Sequence, residues 1–217
     1  MRPAVIAAFI DTVCFDWDGT LCDSSAAGMR AFQKSLAEFG IGFTGPEYRA
    51  VYTPRWHRMY DAFGLPVDLW PKADERWLHH YQGEEPSLLP GAAELLALLQ
   101  RRSFRMGLVS SGTRSRVTRE LDRLGLGSVF QALVCNEDVA RKKPDPEGLE
   151  QAMTRLGAGR DACCFAGDTA EDVQMGKSAG VFTIGVRTKD VDCARLEECG
   201  PDLMIDDIGE LAGVLGI

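Results

Sequence analysis

From residue 88 onward, short runs of continuous apolar residues alternate with longer segments whose apolar residues recur at helical spacing. The apolar runs predict strands at 104–111, 132–136, 162–168, 181–186 and 202–207, and the run TVCFD predicts an earlier strand at 12–16. The intervening segments predict helices over 90–100, 115–125, 146–157, 171–180 and 208–215. Strands that are apolar throughout and separated by helices indicate a parallel sheet covered on both faces. The pattern therefore predicts an α/β fold, a doubly wound parallel sheet with a Rossmann-like core.

Residues 24–87 interrupt this alternation because they contain no clear strand-like run. The segment AAGMRAFQKSLAEFG has apolar residues at helical spacing, and two further helical segments are interrupted or started by Pro54 and Pro71. We interpret this stretch as a small α-helical cap domain inserted into an α/β core formed by residues 1–23 and 88–217. Open parallel sheets bind ligands at the carboxyl ends of their strands, so a module inserted there would cover the site.

Polar side chains follow the predicted strands at the points where they end. They are Asp16 and Asp18 after the first strand, Ser110 and Ser111 after the second, Lys142 and Lys143 after the third, and Asp168, Glu171 and Asp172 after the fourth. In a doubly wound sheet these strand ends converge on one crevice. Carboxylates, hydroxyls and an ammonium group gathered there predict a site for a divalent metal ion and an oxyanion substrate.

Asp16 and Asp18 lie one residue apart, and like charges at that spacing repel each other unless a cation or a proton is bound. Oxygen ligands of this kind suit Mg²⁺, which proteins usually bind through one or two carboxylates together with substrate phosphate. Asp16, Asp168 and a phosphate dianion carry four negative charges, which Mg²⁺ and one lysine largely offset. The sequence therefore predicts Mg²⁺ as the cofactor.

The charge of the whole chain restricts its partners. A net charge of −8 argues against nucleic acid or an anionic membrane as the main partner, because both require a basic surface. No apolar run approaches the length of a membrane span. An acidic protein that binds an anionic substrate must therefore concentrate positive charge locally, in a metal ion or in a few lysines and arginines.

The cysteines and the amino terminus indicate a cytoplasmic protein. The seven cysteines are odd in number, form no C-x-x-C pair and in several cases lie in apolar runs, which favours reduced core thiols. The segment AVIAAFI is short for a signal peptide, and cleavage at the usual distance would remove the following FDWDGTL.

Four segments, FDWDGTL, LVSSG, KKPDP and GDTAED, resemble in order and spacing the four signature motifs of the haloacid dehalogenase superfamily. More closely, they resemble its phosphatase branch with a helical cap inserted after the first motif. The resemblance covers essentially the whole chain. It implies a hydrolase acting on phosphoric monoesters, a Mg²⁺-dependent, phosphoglycolate phosphatase-like enzyme whose substrate is a small phosphorylated metabolite.

The resemblance also implies roles for the aspartates of the first motif. Asp16 would be the nucleophile that takes the phosphoryl group as an aspartyl-phosphate, and it would also bind the metal. Asp18 would be the general acid and base, and its backbone carbonyl would be a metal ligand.

The remaining motifs would bind phosphate and metal. Ser110 would donate a hydrogen bond to a phosphoryl oxygen, with Ser111 as the alternative, and Lys143 would neutralise charge on the nucleophile and the phosphate. Asp168 would bind Mg²⁺ directly, and Asp172 would do so through a water molecule.

Two other functions remain as alternatives. Sugar phosphomutases similar to β-phosphoglucomutase keep the second aspartate, Asp18, but have a histidine soon after the first motif, where this chain has SSAAGMR. A non-catalytic binding protein on this fold would need neither Asp18 nor Lys143. Dehalogenases of the superfamily lack the aspartate at position 18, and phosphonate hydrolases carry alanine there. The sequence therefore favours hydrolysis of a phosphate ester.

Substrate specificity is expected in the cap, where six basic residues are candidates for binding an anionic leaving group. They are Arg30, Arg55, His57, Arg58, Lys72 and Arg76. The sequence favours none of them over the others.

Overall fold

The computed structural model describes residues 10–188 and 193–217, and the chain divides into two compact units. One unit contains the chain up to Asp23 and again from Ser87, and the other is Ser24–Pro86. The segment AVIAAFI, considered above as a signal peptide, lies outside the described residues except for Ile10. None of the helices in the described ranges has the length and hydrophobicity of a transmembrane segment.

The unit Ser24–Pro86 is helical, and its residues, all of which are described, form no strand. Its helices are α1 (Ser25–Ala37), α2 (Gly45–Val51), α3 (Trp56–Ala62) and α4 (Trp70–Tyr81). The segment between α2 and α3 contains Pro54, and Pro71 occupies the first turn of α4, where a missing N–H costs little. The role of this unit as a cap stays a prediction.

Aromatic packing holds the helical unit together. The ring of Phe32 in α1 lies 5.2 Å from that of Tyr60 and 5.6 Å from that of Tyr48, between ring centroids. Leu36 and Ala73 are buried in the same cluster. Offset and edge-to-face rings of this kind add about 0.5–1.5 kcal/mol per pair to the burial of their area. The unit therefore has an apolar core of its own.

The other unit contains a six-stranded sheet. Its strands are β1 (Thr12–Phe15), β2 (Arg105–Val109), β3 (Ala132–Val134), β4 (Cys163–Gly167), β5 (Phe182–Val186) and β6 (Leu203–Ile205). Its helices are α5 (Ala92–Arg101), α6 (Arg114–Arg123), α7 (Glu147–Leu156), α8 (Ala170–Ala179), α9 (Cys193–Glu198) and α10 (Leu211–Val214). All strand pairs are parallel, and the strand order is β3-β2-β1-β4-β5-β6. This arrangement confirms the predicted doubly wound sheet.

Both faces of the sheet are buried, which explains the unbroken apolar runs. Successive side chains of a strand point to opposite faces. Val13 and Phe15 pack in a core cluster with residues of α5, α6 and α10, whereas Cys14 packs in the opposite cluster with residues of α7 and α8. All seven cysteines are free thiols, and five of them are buried.

The structure differs from the predicted elements at several ends. The strand predicted over 104–111 ends at Val109, and the turn that leads to α6 begins at Ser110. The helix predicted over 208–215 is a 3-10 turn at Ile208–Glu210 followed by the short α10. Helix α9 was not predicted, although two parallel strands such as β5 and β6 require a crossover connection.

Strand β1 lies in the middle of the sheet, where it pairs with β2 on one side and β4 on the other. The strand order reverses beside β1, and ligands of open α/β sheets bind at such switch points. The chain leaves β1 toward the helical unit and returns beside it. The Asp23 N–H donates to the Ser87 carbonyl at 2.9 Å, and the Leu89 N–H donates to the Leu21 carbonyl at 2.9 Å.

Candidate active site

Three buried carboxylates meet at the carboxyl ends of β1 and β4. Asp16 directly follows β1, Asp168 directly follows β4, and Asp172 lies in the first turn of α8. One oxygen from each of them lies within 4.8 Å of the others. The Asp16 N–H donates to the Ala166 carbonyl at 2.9 Å, so the parallel pairing of β1 with β4 continues to the aspartate itself. The sheet thus brings together three of the aspartates predicted from the sequence.

A buried lysine bridges two of these carboxylates. Lys143 Nζ lies 2.5 Å from Oδ1 of Asp16 and 2.6 Å from Oδ1 of Asp172, and only 6% of its side chain is exposed. Charge-assisted contacts of this length are among the stronger hydrogen bonds in proteins. The loop after β3 therefore delivers its ammonium group to the carboxylate cluster, as the sequence predicted.

Burial and an excess of negative charge together shift the pKa values of three members of the cluster, Asp16, Asp168 and Lys143. Burial raises the pKa of Asp16 to about 7; Lys143 opposes this rise, while Asp172 and Asp18 add to it. Burial, together with the charges of Asp16 and Asp172, also raises the pKa of Asp168 well above its ordinary value. Burial lowers the pKa of Lys143, but the two carboxylates that it contacts outweigh this effect and raise it. The excess of negative charge therefore favours the protonated forms of the two aspartates and of the lysine.

A divalent cation fits this excess. Three carboxylates and one ammonium group sum to two negative charges, and a buried charge must be paired or bound to a metal. All the donors are carboxylate oxygens, which suit a hard cation such as Mg²⁺. Asp16, Asp168 and Asp172 are therefore the residues that could hold such an ion.

Asp172 is oriented by the start of its own helix. Its Oδ2 accepts hydrogen bonds from the hydroxyl of Thr169 at 2.5 Å and from the Thr169 N–H at 3.2 Å, while the Thr169 hydroxyl accepts from the Asp172 N–H. This reciprocal capping box is typical of helix N-termini. Since Oδ1 contacts Lys143, both oxygens of Asp172 are bonded to protein groups. Its indirect role at the metal stays a prediction.

Gly19 and Thr20, which directly follow Asp18, lie against the side chain of Asp168. The hydroxyl of Thr20, which is fully buried, donates to Oδ1 of Asp168 at 3.0 Å. Gly19 has a φ of +83°, and a Cβ there would lie 2.3 Å from Oδ2 of Asp168. Only glycine satisfies both conditions without strain. Sequence reasoning assigned no role to Thr20, although its place in DWDGT was the available signal.

Ser110 begins the turn that follows β2. It is buried, its N–H donates to the Val134 carbonyl at 2.9 Å, and its hydroxyl accepts a hydrogen bond from the Gly112 N–H at 2.9 Å. Ser111 is partly exposed. Ser110, Ser111 and Lys143 line a common cleft. Their role in binding an oxyanion, and the choice between the two serines, stay predictions.

Asp18 is not part of the carboxylate cluster. Its side chain, 26% exposed, forms a bidentate ion pair with Arg116 of α6, at 2.9 Å for Oδ1 and 2.5 Å for Oδ2. Sequence reasoning missed Arg116 and its partner Glu120. In the sequence they form only a pair of opposite charges four residues apart, a pattern that is common on exposed helix faces.

The basic residues proposed for substrate binding are partly engaged within the helical unit. Arg30 forms an ion pair with Glu84 at 2.5 Å, and Arg76 forms one with Glu38 at 2.7 Å. His57 contacts Asp74 at 3.0 Å. The other candidates are Arg58 and Lys72, which are exposed, and Arg55, which is partly exposed. Their role in specificity stays a prediction.

The chain matches a family model and is similar in sequence to a probable phosphatase and to a pyrophosphatase. A family model described as haloacid dehalogenase-like hydrolase matches residues 13–186. The chain is 32% identical to the probable phosphatase IndB of Dickeya dadantii (strain 3937), covering 98% of this chain and 93% of that protein. It is 29% identical to the pyrophosphatase PpaX of Oceanobacillus iheyensis, over 95% of this chain and 97% of that protein.

Solved structures show the same fold. A predicted phosphoglycolate phosphatase from Haemophilus somnus 129pt aligns with a TM-score of 0.85 over 94% of this chain and 97% of that one, at 18% identity. At that identity the likeness concerns the fold alone. It extends over both the sheet and the inserted helical segment, because nearly all of each chain is covered.

Proposed function

The chain belongs to the haloacid dehalogenase-like hydrolase family, as its motifs predicted, and on that premise we propose that it is a Mg²⁺-dependent phosphatase of a small phosphorylated metabolite. Hydrolysis would proceed through an aspartyl-phosphate on Asp16. The names of two relatives, a phosphatase and a pyrophosphatase, support phosphate-transfer chemistry.

One observation carries the proposal: the buried carboxylates of Asp16, Asp168 and Asp172 share a single ammonium group, that of Lys143. An arrangement with this much unbalanced charge costs folding free energy, and it is retained where a bound cation and an anionic substrate complete it. Buried, strongly perturbed acids in one crevice are also typical of catalytic sites.

In the first step, an oxygen of Asp16 attacks phosphorus and the bond from phosphorus to the leaving oxygen breaks. Asp18 gives its proton to that leaving oxygen, and Lys143 stabilises negative charge on the transferring phosphoryl group. The serine hydroxyl at position 110 orients the phosphoryl oxygens. Bound Mg²⁺, held by Asp16, Asp168 and, indirectly, Asp172, would supply additional positive charge to the phosphoryl oxygens.

In the second step, water attacks the aspartyl-phosphate and inorganic phosphate leaves. Asp18, now ionised, takes a proton from the attacking water, and the carboxylate of Asp16 is regenerated. One aspartate therefore forms the covalent intermediate and the other transfers protons, which accounts for the two carboxylates of the first motif.

Release of inorganic phosphate from a panel of phosphate compounds tests the proposal. The panel includes 2-phosphoglycolate, pyrophosphate, sugar phosphates and p-nitrophenyl phosphate, each with and without Mg²⁺. We expect turnover that requires Mg²⁺ and is abolished in Asp16→Asn. The matched control is Asp161→Asn, an exposed aspartate just before the opposite end of β4, which should keep wild-type activity.

The sugar phosphomutase is the alternative that this experiment must separate. Following a sugar phosphate by ³¹P NMR distinguishes net release of phosphate from interconversion of isomers without release. Isomer interconversion alone would favour the mutase. A folded wild-type protein that releases phosphate from no member of the panel would contradict the proposed phosphatase.

A further inference from the structure

Four side chains of the α/β unit form one buried hydrogen-bonded chain that starts at Asp18. The Arg116 guanidinium, which forks onto both oxygens of Asp18, also donates to Glu120 Oε2 at 3.1 Å. Glu120 Oε2 in turn accepts a hydrogen bond of 2.6 Å from the indole N–H of Trp17. The chain therefore connects the two neighbouring residues Trp17 and Asp18 to consecutive turns of α6.

Burial of this chain is nearly complete everywhere except at its end. Trp17 is fully buried, Glu120 is 1% exposed and Arg116 is 6% exposed, whereas the side chain of Asp18 is 26% exposed. Buried ion pairs contribute little net stability, because desolvation cancels most of the attraction and apolar side chains of similar volume do as well. A purely structural role leaves the choice of charged residues here unexplained.

The backbone makes room for the guanidinium. A Cβ at Gly112 would lie 2.0 Å from Nη2 of Arg116 and 2.8 Å from its Cζ. Gly112 also donates to the hydroxyl of Ser110, so the turn that carries the phosphate-binding serine packs directly on the group that holds Asp18. The close approach fixes Arg116 from a second side, independently of Glu120.

We propose that Arg116 is a positioning residue for Asp18, and that Glu120 and Gly112 hold Arg116 in place. The inference rests on the proposed phosphatase function, in which Asp18 gives a proton to the leaving oxygen as its bond to phosphorus breaks. A planar guanidinium that contacts both oxygens fixes the plane of the carboxylate as well as its location. Proton transfer requires that alignment, and small misplacements cost large factors in rate.

Dependence on the leaving group tests this role. p-Nitrophenyl, phenyl and benzyl phosphate are similar in shape, but their leaving oxygens are increasingly basic and increasingly need a proton. We expect Arg116→Ala to lower kcat/KM for benzyl phosphate by about 10- to 100-fold and that for p-nitrophenyl phosphate by less than about threefold. Arg116→Lys, which keeps the charge but loses the fork, should give intermediate losses in the same order.

Two controls separate positioning from folding. Arg119→Ala removes an exposed arginine from the same helix and should leave all three kcat/KM values unchanged. The double variant Arg116→Met/Glu120→Gln removes both buried charges while leaving Trp17 a hydrogen-bond acceptor. It should unfold at the wild-type temperature. Its loss of kcat/KM should still be largest for benzyl phosphate, smaller for phenyl phosphate and smallest for p-nitrophenyl phosphate.

If Arg116→Ala loses kcat/KM equally on all three esters, or loses none, the inference about Arg116 is wrong. The proposed function is unaffected by that result as long as the wild-type protein hydrolyses the esters. A double variant with wild-type kinetics would overturn it as well. If the wild-type protein hydrolyses none of the esters nor any compound of the panel, the proposed function fails, and the role of Arg116 fails with it.

Discussion

The hydroxyl of Thr20 donates a hydrogen bond of 3.0 Å to Oδ1 of Asp168, joining the loop after β1 to the carboxylate that ends β4. Groups that orient a metal-binding carboxylate commonly change metal affinity by about 10- to 100-fold when they are removed. We expect Thr20→Val to raise the Mg²⁺ concentration for half-maximal activity by about 10-fold or more. Thr20→Ser, which keeps the hydroxyl, should stay near wild type, and an unchanged Mg²⁺ titration for Thr20→Val would contradict this role.

Among the described residues, Lys143 contacts the carboxylates of both Asp16 and Asp172, so its removal should lower stability as well as activity. Removing one partner of a buried ion pair typically costs about 3–5 kcal/mol. Lys143→Met is expected to lower the free energy of unfolding in the absence of Mg²⁺ by that order, measured by urea denaturation. Lys142→Met, which changes the exposed neighbouring lysine, should change it by about 1 kcal/mol or less. Similar losses in the two variants would show that the cluster does not depend on Lys143.

The raised pKa of Asp16 predicts how stability depends on pH. Its value of about 7 exceeds the ordinary 3.8, so the folded state keeps a proton that the unfolded state releases between these two values. Through Asp16 alone, stability of the metal-free protein should therefore fall as pH rises through this window, by up to about 1.4 kcal/mol per pH unit, and the raised pKa of Asp168 adds a loss of the same sign. Thermal unfolding at a series of pH values measures this slope, and Asp16→Asn should flatten it.

Mg²⁺ should reverse that trend, because the metal binds deprotonated carboxylates. The rise in unfolding temperature caused by saturating Mg²⁺ is expected to grow between about pH 5 and about pH 8. A rise that is equal at both ends of this range would place the bound ion away from Asp16 and Asp168.

Gly19 combines a positive φ with a close approach, and the two effects can be separated. Gly19→Ala places a Cβ 2.3 Å from Asp168 Oδ2 at a φ of +83°, whereas Gly125→Ala adds one at +72° with no atom within 4 Å. Both variants should lose roughly 1 kcal/mol in free energy of unfolding, because alanine disfavours a left-handed backbone conformation. Only Gly19→Ala is expected to weaken Mg²⁺ activation as well, which a metal titration of both variants measures. Equal metal dependence in the two variants would refute the contact with Asp168.

The strands and the main site residues were predictable because both follow from local pattern. A buried parallel strand is apolar throughout, so β1 and β4 stand out in the sequence, and the polar residues after them, Asp16 and Asp168, must meet when the strands pair. The loop that carries Lys142 and Lys143 was placed at this edge on the same basis, whereas the choice of Lys143 came from the resemblance to the family motifs. Helix α9 was missed because the segment CARLEE is only 6 residues long, too short to show apolar residues recurring at helical spacing.

The Arg116–Glu120 pair was not predictable in the same way. Two opposite charges four residues apart on a helix usually lie in solvent, and nothing local distinguishes a buried pair from an exposed one. Their burial results from the packing of α6 against Trp17, which lies in the loop after β1 and is 103 residues away from Glu120 in sequence. Whether such an ion pair is buried depends on long-range packing, which the hydrophobic pattern of the helix does not reveal.

The hydrogen bonds that join Asp23 to Ser87 and Leu21 to Leu89 close the α/β unit at the point where the helical segment is inserted. The two ends of the insertion are thereby fixed as neighbours, whatever the length or sequence of the chain between them. Evolution can then lengthen, shorten or exchange that segment without altering the strand that carries Asp16. Related chains can therefore differ in this inserted segment while they retain the carboxylates at the ends of β1 and β4.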